Sequence, residues 1–266
     1  MGGIRVAVCG AAGRMGREVV RAVSESGDME LVAAVDHSEL GRDAGDLVGI
    51  PPLSVPIRSD LGGALADSGA EVLVDFTVPG SALGNIETAL RAGVAAVVGT
   101  TGFTPGDLDK VRGWCEETRI PALVAPNFAI GAVLMMRFAE QAAAYLPDAE
   151  IIELHHEKKV DSPSGTAVMT AQKIIAARKG EPSPAPGEPV EKIPGARGGE
   201  TGGVHIHSVR LPGYVAHQEV IFGGVGQTLT IRHDSTDRRS FMPGVLLAVR
   251  RIRGLSGLTV GLENLL

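Results

Sequence analysis

Cysteine and aromatic residues are scarce in this sequence, and each scarcity excludes a class of protein. The 266 residues include two cysteines, Cys9 and Cys115, which are too few for a disulfide framework and typical of a reducing compartment. Aromatic residues make up 3% of the chain. This argues against an aromatic-rich β architecture and against a surface that stacks on nucleic-acid bases.

The sequence also lacks a net positive charge and long apolar runs. The formal net charge is −6, so we expect no nucleic-acid partner. No apolar run is long enough to cross a bilayer, and the chain starts directly with a predicted strand, without a cationic and apolar leader. These features predict a cytoplasmic protein with no membrane partner.

Glycine and aliphatic residues are abundant instead. The 36 glycines and a hydrophobic content of 44% indicate a globular protein with tight turns, and the length suffices for two domains. The apolar run from Ile4 to Cys9 predicts a buried parallel strand. A glycine-rich turn and a helical run follow, and Leu31 to Val35 predicts the next strand.

This order of strand, glycine turn, helix and strand matches the dinucleotide-binding unit. The turn has the spacing GxxGxxG, and Asp36 lies 20 residues after its last glycine, Gly16 (36 − 16 = 20). Glycines let the backbone approach a pyrophosphate, whose charge meets the helix N-terminus. We therefore predict a nicotinamide dinucleotide site in this turn. Its residues are Gly10, Ala11, Ala12, Gly13, Arg14, Met15 and Gly16.

The coenzyme preference depends on the residues that follow the second strand. Asp36 would accept hydrogen bonds from the adenine ribose hydroxyls, which favours NADH. It would repel the 2′-phosphate of NADPH, but His37, Arg14 or Arg42 could compensate for this repulsion. The sequence therefore predicts NADH, NADPH or both as the cofactor, with Asp36 and His37 in the site.

The alternation of strands and helices continues to residue 128. It predicts an α/β fold with a Rossmann-like, doubly wound parallel sheet. Because ligands bind at the carboxyl ends of the strands in such sheets, we expect three further loops to surround the nicotinamide. These loops contain Phe76, Thr77, Gly99, Thr100, Thr101, Ala125, Pro126, Asn127 and Phe128.

The pattern changes after residue 128. One Ala- and Met-rich helix is followed by several strands separated by glycine turns, which predicts a second α+β domain with a mixed sheet. We expect a dinucleotide-binding domain at 1–127 plus 237–266, because the C-terminal tail should return to it. The substrate-binding and oligomerisation domain is expected at 128–236, with an extended linker at 181–187.

The segment from Glu153 to Ala167 contains a candidate anion site. Ser164, Gly165 and Thr166 suit a helix N-terminus, where unpaired N–H groups and the positive end of the helix dipole attract anions. A substrate carboxylate could bind there, with a lysine at 158 or 159 as its counter-charge.

Two adjacent histidines, His155 and His156, precede this turn. Imidazole can transfer a proton near neutral pH, although a pair of histidines is also common at a polar strand end. A zinc site is disfavoured because neighbouring strand residues point to opposite faces and no further ligand recurs at suitable spacing. His205 and His207 share one strand face, which we interpret as polar sheet surface, so we predict no metal.

These motifs resemble those of the dihydrodipicolinate reductases, the 4-hydroxy-tetrahydrodipicolinate reductase family of bacterial lysine and diaminopimelate synthesis. The resemblance covers nearly the whole chain and looks closest to actinobacterial members. It is carried by the glycine turn, by the Gly-Thr-Thr-Gly loop at 99–102 and by ELHHEKKVDSPSGTA at 153–167. It implies an oxidoreductase that reduces 4-hydroxy-tetrahydrodipicolinate, via its dehydrated form, to tetrahydrodipicolinate and water with NAD(P)H. It also implies a homotetramer built through the second domain's sheet.

The resemblance further implies the roles of individual residues. His155 corresponds to the proton donor, and Lys159 to a second catalytic donor and carboxylate partner. The hydride would be added at the ring C4 of a dicarboxylic heterocycle, after which His155 protonates the ring. The implied substrate-binding residues are His156, Ser164, Gly165 and Thr166.

The sequence departs from the family pattern at three positions, and two other functions are compatible with its first domain. Ser162 replaces a common Ala, Gln227 replaces a frequent Glu, and His37 stands where some members carry Arg. An enzyme like aspartate-semialdehyde or homoserine dehydrogenase is an alternative, but semialdehyde oxidation by phosphorylation needs a nucleophilic cysteine, and neither Cys9 nor Cys115 is placed for it. A dinucleotide-sensing regulator would leave the histidine, lysine and Ser-Gly-Thr residues unexplained.

Overall fold

The computed structural model of the protein describes residues 2–180, 182–183 and 190–266. Apart from residues 182 and 183, the predicted linker at 181–187 lies outside the described residues. The chain divides into two compact units. Unit 1 comprises Met1–Phe128 and Phe241–Leu266, and unit 2 comprises Ala129–Ser240.

The described residues form strands and helices in the following order along the chain. The strands are β1 (Ile4–Cys9), β2 (Met29–Val35), β3 (Ile57–Arg58), β4 (Val72–Asp75), β5 (Ala95–Val98), β6 (Ala122–Val124), β7 (Asp148–His155), β8 (Gly199–Thr201), β9 (Val204–Arg210), β10 (Ala216–Gly224), β11 (Gln227–Ser235) and β12 (Leu258–Val260). The α-helices are α1 (Arg14–Glu25), α2 (Ala44–Val48), α3 (Leu61–Ser68), α4 (Pro79–Arg91), α5 (Pro105–Thr118), α6 (Ile130–Ala143), α7 (Gly165–Ala177) and α8 (Met242–Arg251).

Unit 1 is built on a seven-stranded sheet in the order β12-β6-β5-β4-β1-β2-β3. All pairings between these strands are parallel. The chain runs from β1 outward to β3 on one side and then crosses to β4, β5 and β6 on the other, which is the doubly wound arrangement. The predicted α/β class and Rossmann-like sheet are therefore confirmed.

Helices cover both faces of this sheet. α3, α4 and α5 pack against the face that carries Ala7, Leu73 and Ala96, which have no solvent exposure. The right-handed connection from β1 to β2 places α1 on the opposite face, where it contacts α8. The sequence also determines where helices begin, since Thr104 and Asp107 form a reciprocal capping box at the start of α5.

Three short elements between residues 37 and 70 were not predicted from the sequence. α2, β3 and α3 have five, two and eight residues, which is too short for hydrophobic periodicity to identify. The overlooked signals are two aspartate N-caps. Asp43 accepts a hydrogen bond from the Gly45 amide at 2.8 Å, and Asp60 accepts one from the Gly63 amide at 3.1 Å.

The C-terminal tail, Phe241–Leu266, belongs to unit 1. β12 pairs in parallel with β6 and forms one edge of the sheet. Gly244 lets α8 approach the chain at Phe128, because a Cβ at this position would lie 2.0 Å from the Phe128 carbonyl oxygen. The tail therefore completes the first unit in both sheet and core.

Unit 2 carries a five-stranded sheet in the order β11-β10-β7-β9-β8. β7 and β9 are parallel and the other pairings are antiparallel, so the predicted mixed sheet is confirmed. α6 and α7 contact each other and pack against this sheet. Along the central strand β7, the alternate residues Ala149, Ile151 and Glu153 are buried. This strand ends at His155.

Within the described ranges, no helix is long and apolar enough to span a membrane. The same residues contain no group of three or more His, Cys, Asp or Glu side chains that could hold a metal ion. On the sheet of unit 2, Nε2 of His207 lies 2.8 Å from Oε2 of Glu150 on the neighbouring strand. His207 is thus engaged in a polar cross-strand contact.

Candidate active site

The glycine turn of unit 1 leads from β1 into α1 with little room for side chains. Gly10 has a φ of +78°, a conformation that favours glycine. A Cβ at Gly16 would lie 1.9 Å from the Gly10 carbonyl oxygen. Gly13 is the N-cap of α1, and no side chain caps this helix. The turn therefore leaves the helix N-terminus accessible to a phosphate group.

The Asp36 carboxylate lies against this turn. Its Oδ2 accepts a hydrogen bond from the Ala12 amide at 3.0 Å, and its Oδ1 accepts bonds from the Ser38 amide and hydroxyl at 3.0 and 2.9 Å. Burial opposes the ionisation of Asp36, but these hydrogen bonds outweigh it and lower its pKa. An ionised Asp36 beside the turn occupies the place of the ribose-binding carboxylate in dinucleotide sites.

The basic side chains near Asp36 differ in their environment. His37 and Arg14 are exposed. Arg42 forms an ion pair with Glu39 at 3.1 Å, and Arg17 lies 3.6 Å from the same carboxylate. Arg42 is therefore already engaged, which leaves His37 and Arg14 as the exposed basic groups beside the turn.

The predicted nicotinamide loops lie together at adjacent strand ends. The rings of Phe76 and Phe128 have centroids 5.7 Å apart, and a Cβ at Gly99 would lie 2.1 Å from the Phe76 ring. The Thr100 hydroxyl donates to the Thr77 carbonyl oxygen at 3.1 Å. The other predicted residues here comprise buried Ala125, half-buried Asn127, and exposed Thr101 and Pro126.

A buried carboxylate that the sequence analysis did not identify connects these loops. Asp75, the last residue of β4, has no solvent exposure. It accepts hydrogen bonds from the Thr77 amide at 2.8 Å, the Thr77 hydroxyl at 2.7 Å and the Asn85 side chain at 2.7 Å. Its position at a strand end was a possible signal, but its partner Asn85 on α4 becomes apparent only in the fold.

In unit 2, the predicted anion site is the start of α7. The helix begins at Gly165, within the predicted N-terminus at 164–166. The N-cap is Ser164, which is 4% exposed and accepts a hydrogen bond from the Ala167 amide at 3.2 Å. Gly165 is exposed and Thr166 is half-buried, so the first turn of α7 is open to a ligand.

His155 is held at the end of β7 by a buried carboxylate. Its Nδ1 is hydrogen-bonded to Oε2 of Glu153, two residues earlier on the same strand face. On the neighbouring strand, Arg210 binds this carboxylate with both terminal nitrogens, Nη1 to Oε2 at 2.9 Å and Nη2 to Oε1 at 2.7 Å. We call these three residues the His155–Glu153–Arg210 cluster.

The cluster also contacts the turn that precedes α7. The Ser164 amide donates to Oε1 of Glu153 at 3.3 Å, and Nη2 of Arg210 donates to the Asp161 carbonyl oxygen at 2.7 Å. Glu153 therefore binds both the imidazole and this turn, and Arg210 binds both Glu153 and the turn.

Glu153 is ionised in this environment. Its side chain has no solvent exposure, and burial alone would raise its pKa. The hydrogen bonds from His155, Arg210 and Ser208 outweigh burial and lower the pKa of Glu153 from 4.5 to about 2. A carboxylate in this state can only accept hydrogen bonds.

Lys159 and His156 lie between β7 and the turn. Nζ of Lys159 donates to both carboxylate oxygens of Asp161 at 2.7 and 2.8 Å, and this contact lowers the Asp161 pKa. The Lys159 side chain is 20% exposed, whereas Lys158 belongs to the exposed residues. Nδ1 of His156 is buried and has no hydrogen-bond partner among the described residues, so it could pair with a polar ligand.

Glu153 and Arg210 were not assigned a role by the sequence analysis. The spacing of Glu153 and His155 was a usable signal, because residues two apart on a strand share a face. Arg210 gave no local signal. It reaches the site because β9 pairs with β7 so that Arg210 lies opposite His155.

The two units together define a class of protein. A doubly wound sheet with a glycine turn and an ionised acidic residue beside it is the architecture that binds nicotinamide dinucleotides. An oxidoreductase is the class that uses this architecture, and an imidazole held by a carboxylate in unit 2 is compatible with it. The chain belongs to the dihydrodipicolinate reductase family. Residues 4–128 match the family's sequence model for the "Dihydrodipicolinate reductase, N-terminus", and residues 131–266 match that for the "Dihydrodipicolinate reductase, C-terminus".

Individual relatives agree with this membership. The 4-hydroxy-tetrahydrodipicolinate reductase of Moorella thermoacetica is 55% identical over 264 residues, which cover 99% of this chain and 98% of that protein. The enzyme of the same name from Listeria monocytogenes serotype 4b is 53% identical and covers 99% and 100%, respectively. These relatives do not test the expected similarity to actinobacterial members, which stays a prediction.

Solved structures show the same fold. A dipicolinate-bound dihydrodipicolinate reductase from Paenisporosarcina sp. TG-14 superposes with a TM-score of 0.88 at 44% identity, covering 99% of this chain and 100% of that one. An amine dehydrogenase from Mycobacterium smegmatis has a TM-score of 0.71 at 13% identity, which shows likeness of fold alone.

The depressed pKa of Glu153 predicts a pH-dependent contribution to stability. This contribution is fully present above the unfolded pKa of about 4.5 and is lost as pH falls towards about 2. Each pH unit in this window should remove roughly 1.4 kcal/mol. We expect the stability difference between the wild type and Glu153→Gln to shrink from pH 6 to pH 3, as measured by urea unfolding followed by far-UV circular dichroism. A difference that is equal at both pH values would contradict the assignment of an ionised Glu153.

Proposed function

We propose that this chain is an NAD(P)H-dependent 4-hydroxy-tetrahydrodipicolinate reductase of lysine and diaminopimelate biosynthesis. It would reduce 4-hydroxy-tetrahydrodipicolinate, via its dehydrated form, to tetrahydrodipicolinate and water. The observation that carries the proposal is the attachment of His155 and the start of α7 to one ionised carboxylate, Glu153. This arrangement combines a proton donor with a site for an acidic substrate.

Unit 1 would hold the reduced dinucleotide, which supplies the hydride when bound. The glycine turn would receive the pyrophosphate at the uncapped start of α1, and Asp36 would accept hydrogen bonds from the ribose hydroxyls. The exposed basic groups His37 and Arg14 would tolerate a 2′-phosphate, so both NADH and NADPH should be used. Phe76, Thr77 and their neighbours at the strand ends would surround the nicotinamide.

Unit 2 would bind and protonate the substrate. One substrate carboxylate would accept hydrogen bonds at Ser164, Gly165 and Thr166, with Lys159 as counter-charge. His156, whose Nδ1 is buried without a partner in the described structure, would bind the same ring. The His155 Nε2 would then donate the proton that balances hydride addition, a step that typically contributes about 10²- to 10⁴-fold to the rate.

A thiol-dependent semialdehyde reaction is not supported by the cysteines. Cys9 and Cys115 are free and buried. Burial, followed by the charge of Asp75, raises the pKa of Cys9 to about 12, and burial also raises the pKa of Cys115. A nucleophilic cysteine needs the opposite, an accessible thiolate, so this alternative is disfavoured.

We also propose that the enzyme is a cytoplasmic homotetramer assembled through the sheet of unit 2. The sheet face opposite α6 and α7 carries Ile152, Leu154 and Ile221, which are only half-buried and would gain from association. Two buried free cysteines suit a reducing compartment. Sedimentation equilibrium should report a mass near that of four chains, and a monomeric mass would exclude this assembly.

Gly16→Ala should weaken dinucleotide binding. Because the added methyl group would meet the Gly10 carbonyl oxygen at 1.9 Å, the turn must open and its contact with the pyrophosphate is lost. We expect KM for NADH and NADPH to rise at least about tenfold, with little change in KM for the acidic substrate. Gly27→Ala is the matched control, since a Cβ there meets nothing within 4 Å. An unchanged dinucleotide KM in Gly16→Ala would argue against this binding mode.

His155→Ala and Lys159→Ala should each lower kcat by at least about tenfold, with dinucleotide affinity nearly unchanged. The assay follows oxidation of NADH or NADPH by its absorbance, with freshly generated 4-hydroxy-tetrahydrodipicolinate as substrate. Lys158→Ala, at the exposed neighbouring lysine, should retain wild-type turnover. Absence of activity in the wild type would refute the reductase function, and near-wild-type turnover of both variants would refute these two roles.

A further inference from the structure

We propose that Glu153 and Arg210 are positioning residues for the proton donor: the Glu153 carboxylate fixes the tautomer and orientation of His155, and Arg210 holds that carboxylate in place. This inference deepens the proposed reductase function and rests on it. Neither residue needs to touch the substrate in this role.

The position of the two residues follows from strand pairing. Glu153 and His155 lie two residues apart on β7, so both side chains project from the same face of the sheet. β9 runs parallel to β7, with Ser208 opposite Glu153 and Arg210 opposite His155. The cluster is therefore built on two adjacent strands of the unit 2 sheet, and strands hold side chains more rigidly than loops do.

The hydrogen-bond donors around Glu153 determine the tautomer of His155. An ionised carboxylate has no proton to give, so Nδ1 of His155 must carry a proton and donate it. This leaves Nε2 as the nitrogen that exchanges a proton with the substrate. After Nε2 has given its proton away, the neutral ring keeps its Nδ1 proton and stays bound to Glu153.

Four nitrogen donors converge on this one carboxylate. Oε2 accepts from His155 and from Nη1 of Arg210, and Oε1 accepts from Nη2 of Arg210 and from the Ser164 amide. A glutamine has almost the same shape, but its NH₂ group would have to face two of these donors. The site therefore requires a carboxylate and not merely a polar group of the same size.

Stability alone does not account for this pair. Replacing a buried ion pair by apolar residues of similar size is often neutral or stabilising, whereas removing one partner is strongly destabilising. The cluster instead connects the proton donor to the anion-binding turn, through the Ser164 amide and through the Asp161 carbonyl that Arg210 binds. Such supporting contacts keep a reacting group within the narrow range of productive geometry.

The central experiment uses Glu153→Gln. We expect kcat to fall at least about thirtyfold, while KM for NADH stays within about twofold. In protein labelled with ¹⁵N-histidine, the wild-type His155 ring should show a protonated Nδ1 in its neutral form, and Glu153→Gln should show a mixture of tautomers. The His155 signal is identified by its absence in His155→Gln. Glu153→Asp, which keeps the charge, should recover kcat relative to Glu153→Gln.

A second variant allows the same test if Glu153→Gln does not fold. Glu153→Gln combined with Arg210→Met leaves neither charge buried alone, so it should fold with kcat still at least about thirtyfold low. A matched control is Glu150→Gln, which alters a similar group on the same strand, where Glu150 contacts His207 and Arg197. This variant should keep wild-type kcat.

The outcomes separate this inference from the proposed function. A wild type that does not turn over 4-hydroxy-tetrahydrodipicolinate defeats the reductase assignment, while the ¹⁵N spectra still report whether Glu153 sets the tautomer. An active wild type with unchanged kcat and an unchanged His155 tautomer in Glu153→Gln overturns the positioning role. Wild-type kcat in the double variant overturns it as well.

Discussion

The candidate site of unit 2 depends on the hydrogen bonds of one buried carboxylate, Glu153. It accepts hydrogen bonds from His155, from Arg210 and from the amide of Ser164 at the start of α7. Burying a carboxylate is costly unless its oxygens are fully paired, and here the pairing partners include the residues that we propose as proton donor and anion site. Pairing of β7 with β9 therefore brings His155 and the start of α7, the proposed proton donor and the proposed anion site, into one fixed arrangement.

Unit 1 has a similar arrangement of hydrogen-bonded carboxylates at the proposed dinucleotide site. Asp36 is fixed by the amides of the glycine turn and of Ser38, and buried Asp75 holds Thr77 and Asn85 beside the predicted nicotinamide loops. In both units a carboxylate at or near the carboxyl end of a strand accepts hydrogen bonds from several segments that are distant in sequence. These hydrogen bonds hold the loops at the strand ends in place.

Much of the fold could be predicted because its signals are local. Residues that are close in sequence suffice to predict apolar strands such as Ala95–Val98, the glycine turn at 10–16 and the Ser164 cap. Elements such as α2 and β3 were missed, since they are too short to show periodicity. The site was predicted where a motif is contiguous, as at 153–167. Arg210 could not be found in this way, because its place depends on the register between β7 and β9.

The most direct test of the account is a crystal structure of this protein with dipicolinate, the ligand bound in the Paenisporosarcina reductase. One ligand carboxylate should lie within hydrogen-bond distance of the start of α7, at the Ser164 hydroxyl and the amides of residues 165 and 166, with the His155 ring beside the ligand and its Nδ1 on Glu153. Dipicolinate bound away from the start of α7, or an imidazole turned away from Glu153, would contradict the central claim.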